Sequence, residues 1–195
     1  LTCPLCTLTR QSAMKHTLFS CFLLCAASLQ AEVKLPTIFS DGMVLQQQQL
    51  VRIWGTAETG EDVKITFGDQ THNTVTDPTG KWSVTLNPMN ANATPADLVV
   101  VRKNTLTIKN VLVGEVWICS GQSNMEWPVT ASDNPESELA AADWPEIRFV
   151  DVPNVTSDKP LNSFKSAGWQ PCKPENIGSF SAVAYFFARD LHKEL

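Results

Sequence analysis

Ser123 is the residue whose neighbours in the sequence best suit it to nucleophilic chemistry. It lies in the small-residue turn 120–124 (Ser-Gly-Gln-Ser-Asn), which follows the apolar run 116–119 (Val-Trp-Ile-Cys). The apolar run predicts a short buried strand, because it is rich in β-branched and aromatic residues and is bounded by turn formers. Residues 125–127 predict the start of a helical turn, with Ser123 or Asn124 as its N-cap. Such a turn lifts the serine hydroxyl out of the sheet and offers backbone N–H groups to a developing oxyanion.

The same turn also has an ordinary structural interpretation. A connection between a strand and a helix often contains Ser, Gly and Asn, and Ser123 then only caps the helix. Its pattern, Gly-x-Ser-Asn-Met, differs from the Gly-x-Ser-x-Gly nucleophile elbow of the α/β-hydrolases. From the residues alone, both interpretations stay open.

Residues 117–125 (Trp-Ile-Cys-Ser-Gly-Gln-Ser-Asn-Met) resemble the first conserved block of SGNH-type hydrolases, in the form found in sialate O-acetylesterases. The resemblance extends over roughly residues 35–195. Further segments that carry it are 39–46, 54–55, 180–187 and 191–195. It implies a fold in two parts, a leading β-domain followed by a hydrolase domain.

The resemblance implies a role for Ser123 as the nucleophile of an acyl transfer, with its own backbone N–H as one oxyanion donor. It implies weaker assignments for three neighbours: Gly121 allows close backbone approach, while Gln122 and Asn124 line the pocket or fix the turn. The reaction needs no metal or organic cofactor. The implied substrate is an acetylated carbohydrate, in the first place an O-acetylated sialic acid.

A serine nucleophile needs a base and a group that orients the base. Asp69 and His72 spell the Asp-x-x-His of the last SGNH block, but they precede Ser123 and lie at a predicted hairpin, so we interpret them as a polar turn. His16 lies in the leader and His192 near the end of a predicted helix. We therefore interpret the chain as the N-terminal fragment of a longer esterase, with its base beyond residue 195, and expect the fragment itself to be inactive and marginally stable.

Residues 1–31 predict a leader. A short basic stretch at Met14-Lys15-His16 precedes an apolar segment and then small residues, with cleavage after Ser28 or Ala31. This pattern predicts a secretory signal peptide and export, without stable membrane insertion after cleavage; a buried N-terminal helix is the alternative. Residues 1–13 suggest an over-extended start. The net charge of −5 gives no reason to expect nucleic-acid binding, and the oligomeric state stays undetermined.

Residues 32–113 alternate in the manner of a β-sandwich-like domain, with turns at 68–69 and 77–80 and a loop at 87–95. Eight residues are predicted to face its core: Val63, Ile65, Phe67, Trp82, Val84, Leu86, Leu106 and Ile108. Residues 114–195 predict the incomplete start of an SGNH-type α/β domain with a parallel sheet. Its predicted elements are a helix at 136–142, a strand at 147–150 and an amphipathic helix at 180–195, with Phe180, Val183, Ala184, Phe187 and Leu191 on one face.

Three matters stay open at this stage. The cysteines Cys119 and Cys172 either pair or remain free and buried. The enzyme alternatives include an acetylesterase for a polysaccharide such as xylan. From a different class, a non-catalytic sugar-binding or structural module is the competing interpretation, although the aromatic residues of the sandwich are more simply core residues.

Overall fold

A computed structural model describes residues Glu32–Leu195, so the predicted leader and its cysteines lie outside the described residues. The described chain is a β-rich fold with a mixed sheet and few helices. The strands are β1 Val44–Gln46, β2 Val51–Thr56, β3 Asp62–Phe67, β4 Gln70–Val75, β5 Lys81–Leu86, β6 Asn92–Val101, β7 Thr105–Gly114, β8 Trp144–Phe149 and β9 Gln170–Cys172. The α-helices are α1 Pro135–Ala141, α2 Pro174–Ile177 and α3 Ala182–Glu194, and the 3-10 turns are Ser123–Glu126 and Val129–Ala131.

The first seven strands form two sheets. Five of them are ordered β1-β7-β6-β3-β4, and β2 pairs with β5. β1 runs parallel to β7, while the other pairs are antiparallel. The predicted two-residue hairpin at 68–69 is confirmed, and Gly68 has the positive φ of +58° that such a turn favours.

The predicted turn at 77–80, before β5, is confirmed as well, and the hydrogen bonds of one side chain stabilise it. The Asp77 carboxylate accepts hydrogen bonds from the backbone N–H and hydroxyl of Thr79, both at 2.7 Å, and from the N–H of Lys81 at 3.0 Å. Gly80 takes a φ of +76° there, which a side chain would strain.

One apolar cluster, the β core, contains side chains from both sheets. The core prediction is confirmed for seven of its eight residues, and Leu106 packs against the cluster while partly buried. The predicted loop 87–95 is partly wrong, because β6 already begins at Asn92 and bulges twice along β7. Its polar, Pro-containing start hides the strand from a hydrophobic pattern.

A second cluster, the helical core, comprises Val129, Ala142, Cys172, Ile177, Ala182 and Tyr185. Helices α1 and α3 confirm two predicted helices, and β8 confirms the predicted strand with a shifted start. The predicted parallel sheet is not formed in the described residues, where β8 pairs antiparallel with β9 across a bulge.

Helix α3 confirms the predicted apolar face in part, because Ala184 is buried and Phe180 packs against the helical core, but two other residues of that face are exposed. Ala182, Ala184 and Tyr185 are buried, whereas Val183 and Phe187 remain exposed. The helix contacts β8 and the 3-10 turn Ser123–Glu126, so its inner face is set by those elements rather than by its largest apolar side chains.

The predicted buried strand at 116–119 is wrong for the structure. These residues form no strand and pair with none in the described chain, and Ile118 is 93% exposed. We call residues 115–124, all of them exposed, the open segment. Cys119 is therefore exposed rather than in a core strand, and neither Cys119 nor the buried Cys172 forms a disulfide. Burial raises the pKa of the Cys172 thiol to about 11.

The two cores are tied together through the long loop before β9. The Trp169 indole N–H donates to the Ile38 carbonyl at 2.8 Å, and its ring packs against the β core. The Thr37 hydroxyl donates to the Phe164 carbonyl at 2.7 Å. The domain boundary at 113–114 stays a prediction. No helix of residues 32–195 is long and apolar enough to span a membrane.

Candidate active site

Ser123 is the first residue of the 3-10 turn Ser123–Glu126, whose first two residues end the open segment. Gln122 occupies the N-cap position in an extended conformation, and no side chain caps the turn. The predicted N-cap role of Ser123 or Asn124 is therefore wrong, because the helical conformation begins at Ser123 itself. The consequence is a serine whose hydroxyl is not committed to capping.

The backbone of this turn is held at both ends. The Met125 N–H donates to the Gln122 carbonyl at 2.8 Å, and the Trp127 N–H donates to the Asn124 carbonyl at 3.3 Å. These bonds close the turn around Ser123 and fix where its side chain leaves the backbone.

The start of α3 fastens the turn to the helical core. Ser181, the N-cap of α3, accepts from the Ala184 N–H at 3.3 Å and its hydroxyl lies 3.4 Å from the Met125 sulfur. The Ala182 N–H donates to the Trp127 carbonyl at 2.8 Å. The N-terminal end of α3 thus positions the serine turn. The turn packs beside this helix and is not continuous with it.

The Ser123 hydroxyl is exposed, and it has no hydrogen-bond partner among residues 32–195. An unbonded hydroxyl on a fixed turn can approach an ester carbonyl without first breaking an internal bond. Within the described residues it also has no hydrogen bond to the base that a serine needs in order to lose its proton. The described geometry therefore supplies a candidate nucleophile and not a complete catalytic group.

The three weaker site residues lie on the same exposed stretch. A Cβ added to Gly121 would meet only Met125 Cβ at 3.8 Å, an ordinary contact. Nothing within the described chain therefore requires glycine there, and close approach by a substrate stays a prediction. Gln122 and Asn124 contribute the carbonyls that close the turn, and within residues 32–195 their side chains make no hydrogen bond to it.

Sequence reasoning missed one polar contact beside the turn. Glu126, the last residue of the 3-10 turn, accepts a hydrogen bond from the Asn154 side-chain amide. Asn154 lies in the loop 150–169, which has no periodic pattern, so nothing in the sequence links it to Glu126. The contact holds part of this loop next to Ser123.

Neither described histidine is brought to Ser123. His72 lies in β4, where its Nε2 is 3.3 Å from the Gln70 side-chain oxygen, in agreement with its interpretation as part of a polar hairpin. His192 lies on α3, with Nε2 3.5 Å from a carboxylate oxygen of Glu146 and its ring edge-on to Trp144.

A cleft of about 550 Å³ lies away from Ser123, between the β core and the loop before β9. Phe39, Ser40, Asp41 and Trp169 help to line it. The buried Ser40 hydroxyl has no hydrogen-bond partner there. Residues 32–195 contain no cluster of three or more His, Cys, Asp or Glu side chains that could hold a metal ion.

Comparison with known proteins relates the whole described chain to one group of enzymes. No family model matches the chain. It is 30% identical over 181 residues to the human sialate O-acetylesterase, a match that covers 83% of this chain and 35% of the relative. The mouse sialate O-acetylesterase is 31% identical over 173 residues, covering 78% of this chain and 32% of the relative. The chain thus spans about a third of the length of the curated relatives it matches.

The fold agrees with the sequence. A crystal structure of a carbohydrate acetylesterase from Xanthomonas citri is similar with a TM-score of 0.81 and 34% identity. That match covers 84% of this chain and 38% of the solved chain. In sequence this chain is thus similar to sialate O-acetylesterases, and in fold it is similar to a carbohydrate acetylesterase.

Proposed function

We propose that this chain is part of a carbohydrate O-acetylesterase in which Ser123 is the nucleophile. The observation that carries the proposal is the exposed, unbonded Ser123 hydroxyl on a fixed 3-10 turn, inside a sequence block that resembles the SGNH nucleophile block. The names of the relatives support an acetyl ester of a carbohydrate as the substrate.

The proposed reaction is acyl transfer. Ser123 Oγ attacks the acetyl carbonyl while its proton passes to a general base. The tetrahedral oxyanion collapses with cleavage of the bond to the sugar oxygen, which takes up the proton. Water then hydrolyses the acetyl-enzyme and returns Ser123. The Ser123 backbone N–H is one proposed oxyanion donor, and losing one such donor typically costs on the order of a hundredfold or more in rate.

In this proposal, the general base that accepts the Ser123 proton lies in a part of the whole protein outside residues 32–195. His72 is committed to the β3–β4 hairpin, and His192 faces Glu146 and Trp144 on the helical core. We further propose that the open segment becomes an inner strand of an SGNH-type sheet in the whole protein, since its Val-Trp-Ile run suits burial. In this proposal, the whole protein consists of a sandwich-like β-domain followed by a complete hydrolase domain.

O-acetylated sialic acid is the proposed substrate, and the whole protein is proposed to be exported by the leader 1–31. The partner in this account is the acetylated carbohydrate, with no cofactor. The alternative, a polysaccharide acetylesterase, would use the same serine chemistry and differ only in the sugar that it binds, because in this proposal the serine turn contacts only the acetyl group.

The experiment is a turnover assay on the whole protein with O-acetylated sialic acids, acetylated xylan and a simple aryl acetate. Ser123→Ala is expected to lower turnover by about a thousandfold or more, whereas Ser120→Ala, in the same exposed turn, is the matched control. Faster release of acetate from sialic acids than from xylan supports the sialate assignment, and the reverse order overturns it. Absence of acetyl-ester turnover, or unchanged turnover in Ser123→Ala, overturns the esterase proposal and favours a sugar-binding module.

A further inference from the structure

The outward face of the β2–β5 sheet carries an exposed aromatic residue that the core does not need. Side chains alternate along both strands, so Ile53 and Val84 point into the β core while Trp54 and Ser83 point out. Trp54 is 39% exposed, in contrast to Trp82 on the inner face of the same sheet. We name this outward surface the Trp54 face.

The Trp54 ring is held in place from one side. Phe39 meets it edge-on, with ring centroids 4.6 Å apart and an interplanar angle of 78°. A ring that is fixed by such a contact and still partly open to water is a preorganised stacking surface, because little rotamer freedom remains to be lost on binding.

Basic residues surround this ring. Arg52 lies two positions before Trp54 on β2 and therefore on the same face, about 7 Å along the strand. Lys34 and Lys81 both pair with Thr56, one from each side, so their side chains share the face as well. The outward positions of β2 and β5 carry no acidic residue.

These cations are not used within the described chain. None of Lys34, Arg52 and Lys81 makes an ion pair with a residue of 32–195. Arg52 donates one long hydrogen bond of 3.4 Å to the Ser83 hydroxyl. Lys81 lies close enough to Asp77 to help lower the pKa of that carboxyl, so part of its charge is offset. Arg52 is therefore the best-placed carboxylate anchor.

The chemistry of the face selects its ligand. A sugar ring presents a flat apolar C–H surface that stacks on an indole, and its hydroxyls suit Ser83, Thr85 and Thr56 around that indole. A guanidinium beside the stacking surface suits a carboxylate, which it can bind with two parallel hydrogen bonds. Positive charge on this face of a chain with net charge −5 is complementary to an anionic ligand.

We propose that the Trp54 face is a binding site for a carboxylate-bearing sugar, with Trp54 stacking on the ring and Arg52 holding the carboxylate. Sialic acids and uronic acids share this chemistry. The site is separate from Ser123 and needs no ester, so the proposal stands apart from the proposed acetylesterase function. The proposal gives the outward face of the β2–β5 sheet a role in retaining the glycan, whereas the inner face of the same sheet packs in the β core.

The test is a titration of the full chain, followed by NMR of the indole N–H signals, with three unacetylated probes: sialyllactose, a galacturonic acid oligomer and lactose. Saturable shifts with the two acidic probes and about tenfold weaker binding of lactose are expected. Tighter binding of one acidic probe identifies the source of the carboxylate. Binding of lactose equal to that of both acidic probes overturns the role of Arg52.

Variants then separate the two contacts. Trp54→Ala is expected to weaken binding of the acidic probes about tenfold, whereas Trp54→Phe keeps a stacking ring and most of the affinity. Arg52→Gln is expected to weaken the acidic probes about tenfold and leave lactose unchanged, while Lys64→Gln, which removes one exposed charge from β3, is the matched control. Unchanged denaturation midpoints verify that the variants are folded.

Two further outcomes overturn the proposal. One is acidic-sugar binding that Trp54→Ala and Arg52→Gln leave unchanged, because the ligand then lies elsewhere. The other is single-stranded DNA binding at least as tight as sialyllactose binding and lost in the same variants, which would assign the basic aromatic face to nucleic acid rather than to sugar.

Discussion

Two isoleucines in similar apolar runs differ in burial. Ile65 in β3 is fully buried, with β4 on one side and β6 on the other. Ile118 in the open segment is 93% exposed and has no strand beside it within residues 32–195. An apolar run is buried by its neighbours and not by its own composition. The β core supplies those neighbours, and the described part of the chain does not supply them to the open segment.

The difference between covered and open residues is expected to be largest in thiol chemistry. At pH 8 a thiol with a pKa of about 11 has only about a thousandth of its population as the reactive thiolate. Cys172 is also buried, whereas Cys119 is exposed. Brief alkylation of the native chain, mapped by mass spectrometry, is expected to modify Cys119 at least about a hundredfold faster than Cys172.

Denaturant is the control for this experiment, because it should make the two rates similar. Equal rates in the native chain would mean that the helical core opens readily, and the contrast between open and covered residues would then fail.

Truncating the two isoleucines tests the same contrast through stability. Ile65→Ala is expected to lower the free energy of unfolding by about 3 kcal/mol, from lost burial and a cavity. Ile118→Ala is expected to change it by no more than about 0.5 kcal/mol. Chemical denaturation of the two variants of the full chain measures both. A large loss in Ile118→Ala would show that the open segment is covered in solution, for example by a second copy.

Two glycines form a third pair. A Cβ on Gly55 would clash with the Lys34 carbonyl oxygen and lie 2.7 Å from the Trp82 ring, contacts that force the backbone or the ring to move. Gly55→Ala is therefore expected to lower the free energy of unfolding by about 2 kcal/mol. Gly121→Ala meets only an ordinary contact and is the matched control. Equal denaturation midpoints for the two variants would contradict the tight packing of Lys34 against β2.

The smallest expected effect is a pH dependence at the turn before β5. The hydrogen bond from the Thr79 hydroxyl, followed by the one from the Lys81 backbone, lowers the pKa of the Asp77 carboxyl from its usual value. A carboxyl whose folded pKa is depressed stabilises the fold above its unfolded pKa and loses that contribution as pH falls through the folded value. Asp77→Asn should therefore flatten the fall in stability below about pH 4.

Denaturation midpoints at several acid pH values measure this slope, with Asp69→Asn at the neighbouring hairpin as the control. An unchanged acid slope in Asp77→Asn would show that Asp77 does not contribute to the pH dependence, and would contradict the stabilising role of its hydrogen bonds.

Alternation and turn chemistry predicted the β core well. Val63, Ile65 and Phe67 alternate strictly, and the hairpin residues at 68–69 and the turn at 77–80 mark where the strands end. These are local signals, and the strands that bury the residues lie within the same part of the chain. The start of β6 escaped prediction because its residues are polar and include Pro95.

The sequence predicted the position of the serine turn but not the conformation of the residues before it. The residues around Ser123 indicated a turn, yet an apolar run does not reveal whether a strand lies next to it, so the predicted buried strand at 116–119 was wrong. The contact between Glu126 and Asn154 joins segments that are distant in sequence, and so does the hydrogen bond that the Ala182 N–H of α3 donates to the Trp127 carbonyl. Local patterns do not encode such pairs, and the base that Ser123 needs stays a prediction.

The most direct test of the central claim is covalent labelling of the whole protein with a fluorophosphonate, followed by peptide mapping. The account predicts one adduct on Ser123 Oγ, formed in proportion to loss of acetyl-ester turnover, absent from Ser123→Ala and retained in Ser120→Ala. An adduct on a different serine that accompanies loss of turnover, or turnover that survives complete labelling of Ser123, would contradict it.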